Sequence, residues 1–377
     1  MSEGPDLHAP PAELRGADHA FGSGKPFTVG LEEELLLVDP HTLQLAHVAD
    51  RIVPAVELAD GRVDHEAFLA EIELRSTPRA SVDEAVGELA ENRAAARAAG
   101  ATLMAAGLHP DARYGDVQLV DSERYRRVER EMRGLIKRTP ECALHVHVGM
   151  PDPEAAVAAS TGLREALPLI QGLGASSPFW FGFDSGLASA RSAVVRGYPG
   201  RGVPPPLRSW DEYLGQLEAI GAGGGPQDHT MVWWDVRLQP RLGTVELREL
   251  DVQTGLDEAA GISALAHALA RRAAESPVEH PSPAQSVAWS WFRAARDGLD
   301  AEIAHGGRLV PLRQVARATL ASLGGDDPAL EGVEKILREG NGADRQRAAF
   351  ARGGMRALLE HLAAETARPL KRNTAAA

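Results

Sequence analysis

The amino-acid sequence predicts an α+β fold in which an antiparallel or mixed sheet packs against helices. The strand-like runs come early in the chain and are mixed with long helical stretches. Two of these runs, Met231–Gln239 and Gly243–Asp251, are separated by a short connection that suits an antiparallel hairpin. The chain after Gly255 is expected to be helical throughout. The regular alternation of strands and helices in a parallel sheet is therefore missing, which favours the α+β class.

Earlier strands are predicted where a run with strand character stops at a proline. They are Thr28–Asp39, Phe68–Thr77 and Cys142–Met150. Each is followed directly by a proline, which cannot donate the next hydrogen bond of a sheet ladder. The single cysteine, Cys142, is expected to be a structural residue that points to the packed side of its strand.

Capping signals predict where the helices begin. Ser81 and Glu84 form a capping box that opens an alanine-rich helix, which is expected to run to about Ala106. Ser209 and Glu212 have the same spacing at the start of a shorter helix. This shorter helix is predicted over Ser209–Ile220. Two more helices are predicted before Gly255, over Asp121–Arg138 and Pro153–Leu173.

These elements predict a single folded domain over residues 21–365. The segments 1–20 and 366–377 lack periodicity and contain mainly small or polar residues, so they are expected to be disordered tails. The first segment is acidic and proline-rich and has no apolar centre, which is unlike a signal peptide. No run approaches the roughly 18 apolar residues that a membrane span needs.

The composition narrows the classes of function. With 44% hydrophobic and 25% charged residues, the chain is typical of soluble globular proteins. Its formal net charge of −13 disfavours a nucleic-acid or anionic-membrane partner, because those partners attract basic surfaces. A single cysteine excludes an intramolecular disulfide and fits the reducing environment of the cytoplasm. We therefore expect a cytoplasmic protein.

Polar residues recur at strand spacing in every predicted strand. Side chains two positions apart on a strand point to the same face. The pairs and triplets that share a face in this way are Glu32 with Glu34, Glu71 with Glu73 and Arg75, His145 with His147, Asp235 with Arg237, and Glu246 with Arg248.

A solvated surface is the ordinary explanation for one such polar face. The whole set differs from a solvated surface because it contains glutamate, aspartate, histidine and arginine without any lysine. Carboxylates are the ligands that Mg²⁺ prefers, and arginine binds phosphate through two parallel hydrogen bonds. The residues therefore indicate a sheet face that binds hard cations and a polyphosphate.

Longer motifs carry a resemblance to a known family. The segments Gly30–Pro40, Cys142–Met150, Ser177–Ser192 and Trp233–Asp251 follow one another in the order found in type 2 glutamate–cysteine ligases. The chain resembles this family, which is also described as ATP-dependent carboxylate–amine ligases, from about residue 20 to about residue 310. The resemblance implies a glutamine-synthetase-like antiparallel sheet that forms a funnel for the active site and is surrounded by helices.

The resemblance also implies the reaction and its cofactors. ATP would activate the γ-carboxylate of glutamate as an acyl phosphate, and an amine, classically that of cysteine, would then displace phosphate. The implied cofactors are ATP and Mg²⁺, which Mn²⁺ could replace. The partners would be small-molecule substrates, with no nucleic acid and no membrane, and a homodimer is a further expectation.

The same resemblance assigns roles to individual residues. Arg248 would meet the transferring phosphoryl group, and Arg191 would hold the glutamate carboxylate. Glu71 is an alternative to Glu73 in a shifted register. The residues that would bind the metal are Glu32, Glu34, Glu73, His145 and Glu246.

One departure from the family leaves the acceptor amine open. The family carries Asn-Arg-Trp before the helix that here includes Arg293–Asp300, whereas this chain has Ser290-Trp291-Phe292. Two alternative functions also follow from the residues. The His-x-His pair is a known zinc pattern and could belong to a metal-dependent hydrolase. A family member that binds nucleotide without turning it over is the other alternative.

Overall fold

The structure is a computed structural model that describes residues 19–59, 61–226, 229–324 and 327–370. Its strands are β1 Val29–Leu37, β2 Val63–His65, β3 Glu71–Arg75, β4 Leu103–Met104, β5 Ala143–Gly149, β6 Phe179–Trp180, β7 Phe183–Asp184, β8 Val236–Gln239, β9 Thr244–Asp251, β10 Glu302–His305 and β11 Arg308–Pro311. The main sheet has the order β2-β3-β1-β5-β9-β8, and β4 pairs with the end of β1. All of these pairings are antiparallel, which confirms the predicted fold class.

Helices cover one face of this sheet and flank its edges. They are α1 Ala49–Ile52, α2 Val82–Ala98, α3 Glu123–Met132, α4 Pro153–Gly174, α5 Ala190–Val195, α6 Trp210–Ala222, α7 Leu256–Glu275, α8 Ala284–Asp297, α9 Leu312–Leu323, α10 Glu331–Glu339 and α11 Gly342–Thr366. Helices α2, α4 and α7 pack against the central strands β1, β5 and β9. The opposite face of these strands carries the polar residues, so the helices leave it free to form a site.

The predicted helix Asp121–Arg138 is α-helical only to Met132, and the predicted strand Met231–Gln239 begins only at Val236. Two further predictions about the elements were wrong, and glycines explain both. The helix opened by Ser81 ends at Ala98 rather than near Ala106, because Gly100 adopts φ 95° and turns the chain back toward the sheet. The segment after Gly255 is not entirely helical, since β10 and β11 form a hairpin. Its turn residues, Gly306 and Gly307, have φ of 57° and 76°, as a tight hairpin turn requires.

The predicted tails lie mainly outside the described residues, at 1–18 and 371–377. Residues at their inner boundaries contact the fold. The His19 ring centroid lies 5.4 Å from that of Phe21, and the Thr366 hydroxyl accepts a hydrogen bond of 2.9 Å from the Ala105 N–H. The division into one domain and two tails stays a prediction. Within the described ranges, no helix is long and apolar enough to cross a membrane.

The acidic run Glu32-Glu33-Glu34 is divided between the two faces of β1, as strand alternation predicts. Glu33 points into the helix-covered core and is completely buried. Its carboxylate accepts two hydrogen bonds from Arg93 of α2, at 2.6 and 2.8 Å. Arg93 also donates to the backbone oxygens of Gln253 and Thr254. This buried pair ties β1 to α2 and to the segment before α7.

We expect Glu33→Gln to destabilise the fold by about 3–5 kcal/mol, because it leaves the buried Arg93 charge without its counter-charge. Chemical denaturation would measure the change in the free energy of unfolding. The matched control is Glu275→Gln, which breaks the exposed pair with Arg271 and is expected to cost less than about 1 kcal/mol. Equal losses in the two variants would contradict the structural role of Glu33.

A β-bulge in β9 changes which of its residues face the site. Leu250 pairs with Leu144 and Leu247 pairs with Val146, so two residues of β9 lie opposite one residue of β5. Those two residues are Arg248 and Glu249. The bulge keeps Leu247 and Leu250 together in the core, and it places Glu249 on the polar side next to Arg248.

Candidate active site

The polar face of β1, β5 and β9 brings together Glu32, His147 and Glu246. One ligand atom from each lies within 4.8 Å of the other two. The Nε2 atom of His147 is 3.5 Å from Glu32 Oε1 and 3.8 Å from Glu246 Oε1. It is buried and has no hydrogen-bond partner among the described residues. The other ring nitrogen, Nδ1, lies 3.0 Å from the Thr244 hydroxyl, which fixes the orientation of the ring.

His145 faces the same carboxylates from a position two residues before His147 in β5. Its Nδ1 lies 3.2 Å from Glu32 Oε2 and 3.9 Å from Glu246 Oε1, and its Nε2 lies 3.8 Å from Glu34 Oε1. Both histidines are thus placed beside the carboxylates, whereas the sequence assigned only His145 to the metal. We call Glu32, His145, His147 and Glu246 the central cluster.

The pKa values of the two histidines of the central cluster are shifted in opposite directions. Burial lowers the pKa of His145, and the positive charge of Arg248 lowers it further. Burial also disfavours a charge on His147, but Glu32 and Glu246 outweigh it and raise the pKa of this histidine. Burial alone would raise the pKa of Glu32, yet His147 and His145 hold it well below its usual value. Glu32 is therefore a carboxylate that can ligate a cation.

A second group of carboxylates continues this face toward β3. Glu34 lies opposite Glu73 in the β1–β3 register, and Glu71 lies two pairs further along, opposite Leu36. Burial raises the pKa of Glu71 and Glu73 well above the usual value, and repulsion from neighbouring carboxylates adds to it. Burial and Glu34 likewise raise the pKa of Glu66 to about 7. We call Glu34, Glu66, Glu71 and Glu73 the acidic cluster.

Glu66 was missed by the sequence analysis. It lies between β2 and β3, where there is no strand alternation to assign it to a face. Glu73 is the predicted metal ligand of this strand, and it also forms an ion pair of 3.0 Å with Arg75. Glu71 is engaged differently, since its Oε1 accepts a hydrogen bond of 3.1 Å from the Cys142 thiol.

The contact between Cys142 and Glu71 adds to one prediction. Cys142 is completely buried and belongs to the hydrophobic core, as expected. Its thiol also donates a hydrogen bond to Glu71, so the cysteine lies between the core and the acidic cluster. Burial and the negative charge of Glu71 raise the pKa of Cys142, so the thiol is kept protonated.

Glu246 is held by donors on both of its oxygens. Its Oε2 accepts hydrogen bonds from Arg237, at 3.0 Å, and from Gln239, at 2.6 Å. Its Oε1 forms an ion pair with Arg248 and faces the two histidines. Although burial opposes it, Arg248 and Arg237 hold the pKa of Glu246 far below its usual value. The arrangement orients one oxygen toward the central cluster and keeps Arg248 beside it.

Arg191 lies outside the central cluster and belongs to a separate group on the same side of the sheet. We call Arg191, Arg196, Arg201, Asp235 and Glu249 the arginine cluster. Arg196 donates two hydrogen bonds to Asp235, at 2.7 and 2.9 Å. Arg201 lies 3.4 Å from Glu249 Oε2, and Arg191 donates a hydrogen bond of 3.1 Å to the Glu249 backbone oxygen. The β9 bulge makes this cluster possible, because it turns Glu249 out of the core.

The segment Ser290-Trp291-Phe292, which departs from the family pattern, packs against the arginine cluster. The segment lies inside α8 and not before a helix, because α8 begins at Ala284. Ser290 accepts a hydrogen bond of 2.7 Å from the Ala304 N–H. Trp291 is buried, and the Arg196 guanidinium carbon lies 3.7 Å from its ring centroid. The Trp291 ring of α8 therefore stacks against the Arg196 guanidinium, which directly follows α5.

The residues fit a hard divalent cation. The central and acidic clusters contribute carboxylates and imidazoles, which are ligands for Mg²⁺ or Mn²⁺. The unpartnered Nε2 of His147 points among these carboxylates. The carboxylates of the acidic cluster repel one another, as the raised pKa values of Glu66, Glu71 and Glu73 indicate. A divalent cation would relieve that repulsion, and the excess of oxygen ligands favours Mg²⁺ over zinc.

Solved structures with the same fold cover nearly the whole chain. Glutamate–cysteine ligase from Francisella tularensis, solved in complex with AMP, matches with a TM-score of 0.69 at 13% identity, over 91% of this chain and 89% of that one. A bifunctional glutathione synthetase from Pasteurella multocida matches with a TM-score of 0.63 at 14% identity, over 90% of this chain and 53% of that one. Identities this low show the fold alone.

The fold together with the family and its relatives defines an ATP-dependent ligase that forms a C–N bond. The model of glutamate–cysteine ligase family 2 matches residues 28–361. The chain belongs to this family, which confirms the resemblance read from its motifs.

Curated relatives match over the same length. A glutamate–cysteine ligase 2 homologue from Rubrobacter xylanophilus is 38% identical, over 92% of this chain and 99% of its own length. A glutamate–cysteine ligase from Halobacterium salinarum is 32% identical over the same shares. Such relatives extend the match beyond the motifs to nearly the entire domain.

Proposed function

We propose that this enzyme joins the γ-carboxylate of glutamate to an amine at the expense of ATP, through an acyl-phosphate intermediate. One observation carries the proposal: the central cluster and Arg248 lie side by side on one sheet face. Phosphoryl transfer needs groups that position the reactants and stabilise negative charge, and this face offers both. The names of the relatives support glutamate as the carboxylate substrate.

The metal-binding residues follow from the two clusters. Glu32, Glu246 and the histidines would hold one cation, and Glu34, Glu66 and Glu73 would hold another. Bound Mg²⁺ would neutralise charge on the phosphates of ATP. Of the predicted ligands, Glu32, Glu34, Glu73, His145 and Glu246 all remain in this proposal, and the structure adds His147 and Glu66 as candidates.

The reaction has two balanced steps. In the first, an oxygen of the glutamate γ-carboxylate attacks the γ-phosphorus of ATP, and the bond to ADP breaks. In the second, the amine nitrogen attacks the activated carbonyl carbon, phosphate leaves and the nitrogen loses a proton. Arg248 would stabilise the negative charge on the transferring phosphoryl group. No nucleophilic side chain is required, and Cys142 stays protonated against Glu71.

The substrates, the cellular location and the oligomeric state are supported to different degrees. Small-molecule substrates agree with the family. The cytoplasmic location, the absence of a nucleic-acid partner and the homodimer stay predictions. The acceptor amine is open, although cysteine is favoured by the names of the relatives.

Release of ADP with a panel of amines tests this proposal. We expect ADP to form only when ATP, glutamate, an accepted amine and Mg²⁺ or Mn²⁺ are all present. The product mass should equal the sum of glutamate and the amine minus one water. If no acceptor gives ADP, the ligase activity is contradicted. If activity depends on one tightly bound zinc ion, the hydrolase alternative is supported instead.

A further inference from the structure

A cavity lies on the helix-covered side of the sheet, where the start of α7 meets α10 and both halves of α11. Gln346 and His361 of α11 both line it. In a straight α-helix, the fifteen residues between these positions would separate them by about 22 Å. Gly353 and Gly354 have non-helical backbone angles, and this kink changes the direction of the second half of α11. The kink therefore allows both halves of the helix to reach one cavity.

This cavity is separate from the candidate active site. The helix α7 packs on the face of the sheet that the central cluster does not use. Arg93 connects the two regions, since it donates a hydrogen bond of 3.0 Å to the backbone oxygen of Thr254, which lines the cavity, and pairs with Glu33 of β1. A ligand in the cavity would be held by residues other than those of the active site.

The cavity is small. Its volume is about 80 Å³. A buried water molecule needs about 10–15 Å³, so there is room for about five to eight non-hydrogen atoms. The buried side chains of Leu256 and Leu362 form an apolar part of the wall. The size excludes a nucleotide and suits a small molecule with a short apolar group.

Gln346 offers this cavity a hydrogen-bond acceptor that the fold does not use. The residue is 1% exposed. Its Nε2 donates a hydrogen bond of 2.7 Å to the backbone oxygen of Ser176 and lies 3.3 Å from the Ser176 hydroxyl. Its Oε1 is buried and accepts no hydrogen bond within the described residues. A buried acceptor without a donor costs free energy, and a ligand with an N–H group would supply the donor.

Charges of both signs surround the cavity in equal number. Lys335 and Arg345 approach Glu258 to 3.1 and 3.4 Å, and their side chains stay 31% and 24% exposed, so they keep donors for a ligand. A balanced lining disfavours a ligand with net charge and favours one that carries both signs. The cations of the lining are Lys335, Arg345 and Arg368, and its carboxylates are Asp257, Glu258 and Glu365.

We propose that this cavity binds a small α-amino acid in its zwitterionic form. The ammonium group would donate to Gln346 Oε1, and the carboxylate would accept hydrogen bonds from Arg345 and Lys335. Inorganic phosphate has a similar size, but its oxygens would meet the Gln346 oxygen, which has no hydrogen to donate. The site does not depend on the proposed ligase reaction, because it requires neither ATP nor a metal.

His361 supplies a readout at the cavity itself. Burial lowers the pKa of His361, so its imidazole is neutral at neutral pH. NMR of protein labelled with ¹³C-histidine would follow this ring, and His361→Gln identifies its signal by removing it. Binding of an amino acid in the active site would instead shift the signals of His145 and His147.

The test titrates L-alanine, propionate, ethylamine and inorganic phosphate into the protein without ATP or Mg²⁺. Propionate lacks the ammonium group of L-alanine, and ethylamine lacks its carboxylate. We expect L-alanine to shift the His361 signal with a Kd at least about tenfold lower than that of propionate or ethylamine, because each of these loses one charge-assisted contact. Phosphate should not shift the signal at the same concentrations.

Two variants test the two ends of the ligand. Gln346→Met removes the acceptor for the ammonium group, and Arg345→Met removes a donor to the carboxylate. Each should raise the Kd of L-alanine by about 10- to 100-fold. The matched control Gln314→Met, at an exposed position of α9, should leave this Kd unchanged. If Gln346→Met does not fold, Arg345→Met and the four titrations of wild-type protein decide.

Several results would overturn the site. They are a His361 signal that L-alanine does not shift, equal Kd values for L-alanine and propionate, and a stronger response to phosphate than to L-alanine. Binding is measured without turnover, so this proposal and the ligase reaction can fail separately. A protein that releases no ADP can still bind L-alanine here, and an active ligase can lack this site.

Discussion

Replacing Arg248 with alanine is expected to lower kcat by about 10³-fold or more, because an arginine that neutralises the transferring phosphoryl group contributes on that scale. The fold should survive, since Glu246 keeps its hydrogen bonds from Arg237 and Gln239. Steady-state ADP release would give kcat and KM, and thermal unfolding would report on stability. The loss should fall mainly on kcat, because the phosphoryl charge develops in the transition state.

Two control variants show whether the loss of kcat depends on the charge and the planar guanidinium group of Arg248. Arg248→Lys keeps a cation but cannot form the same planar contacts, so its kcat should lie between those of wild type and Arg248→Ala. Arg317→Ala removes an exposed arginine and should behave as wild type. A kcat for Arg248→Ala within about tenfold of wild type would remove Arg248 from phosphoryl transfer.

Strand alternation explains why much of the site could be predicted. The apolar residues Leu31 and Leu35 must face the helices, which requires Glu32 and Glu34 to face away from them. Glu33 then has to enter the core, where Arg93 neutralises it. The partner could not be predicted, because the contact between β1 and α2 joins residues that are far apart in sequence.

The β9 bulge left a signal that strict alternation did not use. The apolar positions Val245, Leu247, Leu250 and Val252 are spaced two, three and two residues apart. The extra residue in the middle interval is the bulge, and it places Glu249 on the site side. A reading that followed the apolar spacing would have found Glu249. The contacts of Arg201 would still have been missed, since the loop after α5 has no periodicity.

Contacts between distant segments limited the rest of the prediction. His145 and His147 share one face, so the pattern alone does not decide which of them meets Glu32 and Glu246. The structure places both rings beside these carboxylates. Glu66 belongs to a turn whose position depends on the packing of β2 and β3. Such residues become functional candidates only when their neighbours in space are known.

The acidic cluster leads to a second large expected effect. Glu34 raises the pKa values of Glu66, Glu71 and Glu73 through charge repulsion, so it destabilises the protein when no cation is bound. We expect Glu34→Gln to lower kcat by about 100-fold or more, because a metal ligand is lost. The same variant should stabilise the metal-free protein by about 1–2 kcal/mol, as often happens when a functional charge is removed.

Thermal unfolding with and without Mg²⁺ separates these two consequences. A cation at 100 times its Kd should stabilise wild-type protein by about 2.7 kcal/mol, and Glu34→Gln should show a clearly smaller gain. The amide can still accept the hydrogen bond from the Ala143 N–H, so the strand pairing is kept. Glu57→Gln, at an exposed position, should change neither quantity. If Glu34→Gln lost activity but gained no stability without Mg²⁺, the carboxylates would not be repelling one another. The loss of activity would then need an explanation other than cation binding by the acidic cluster.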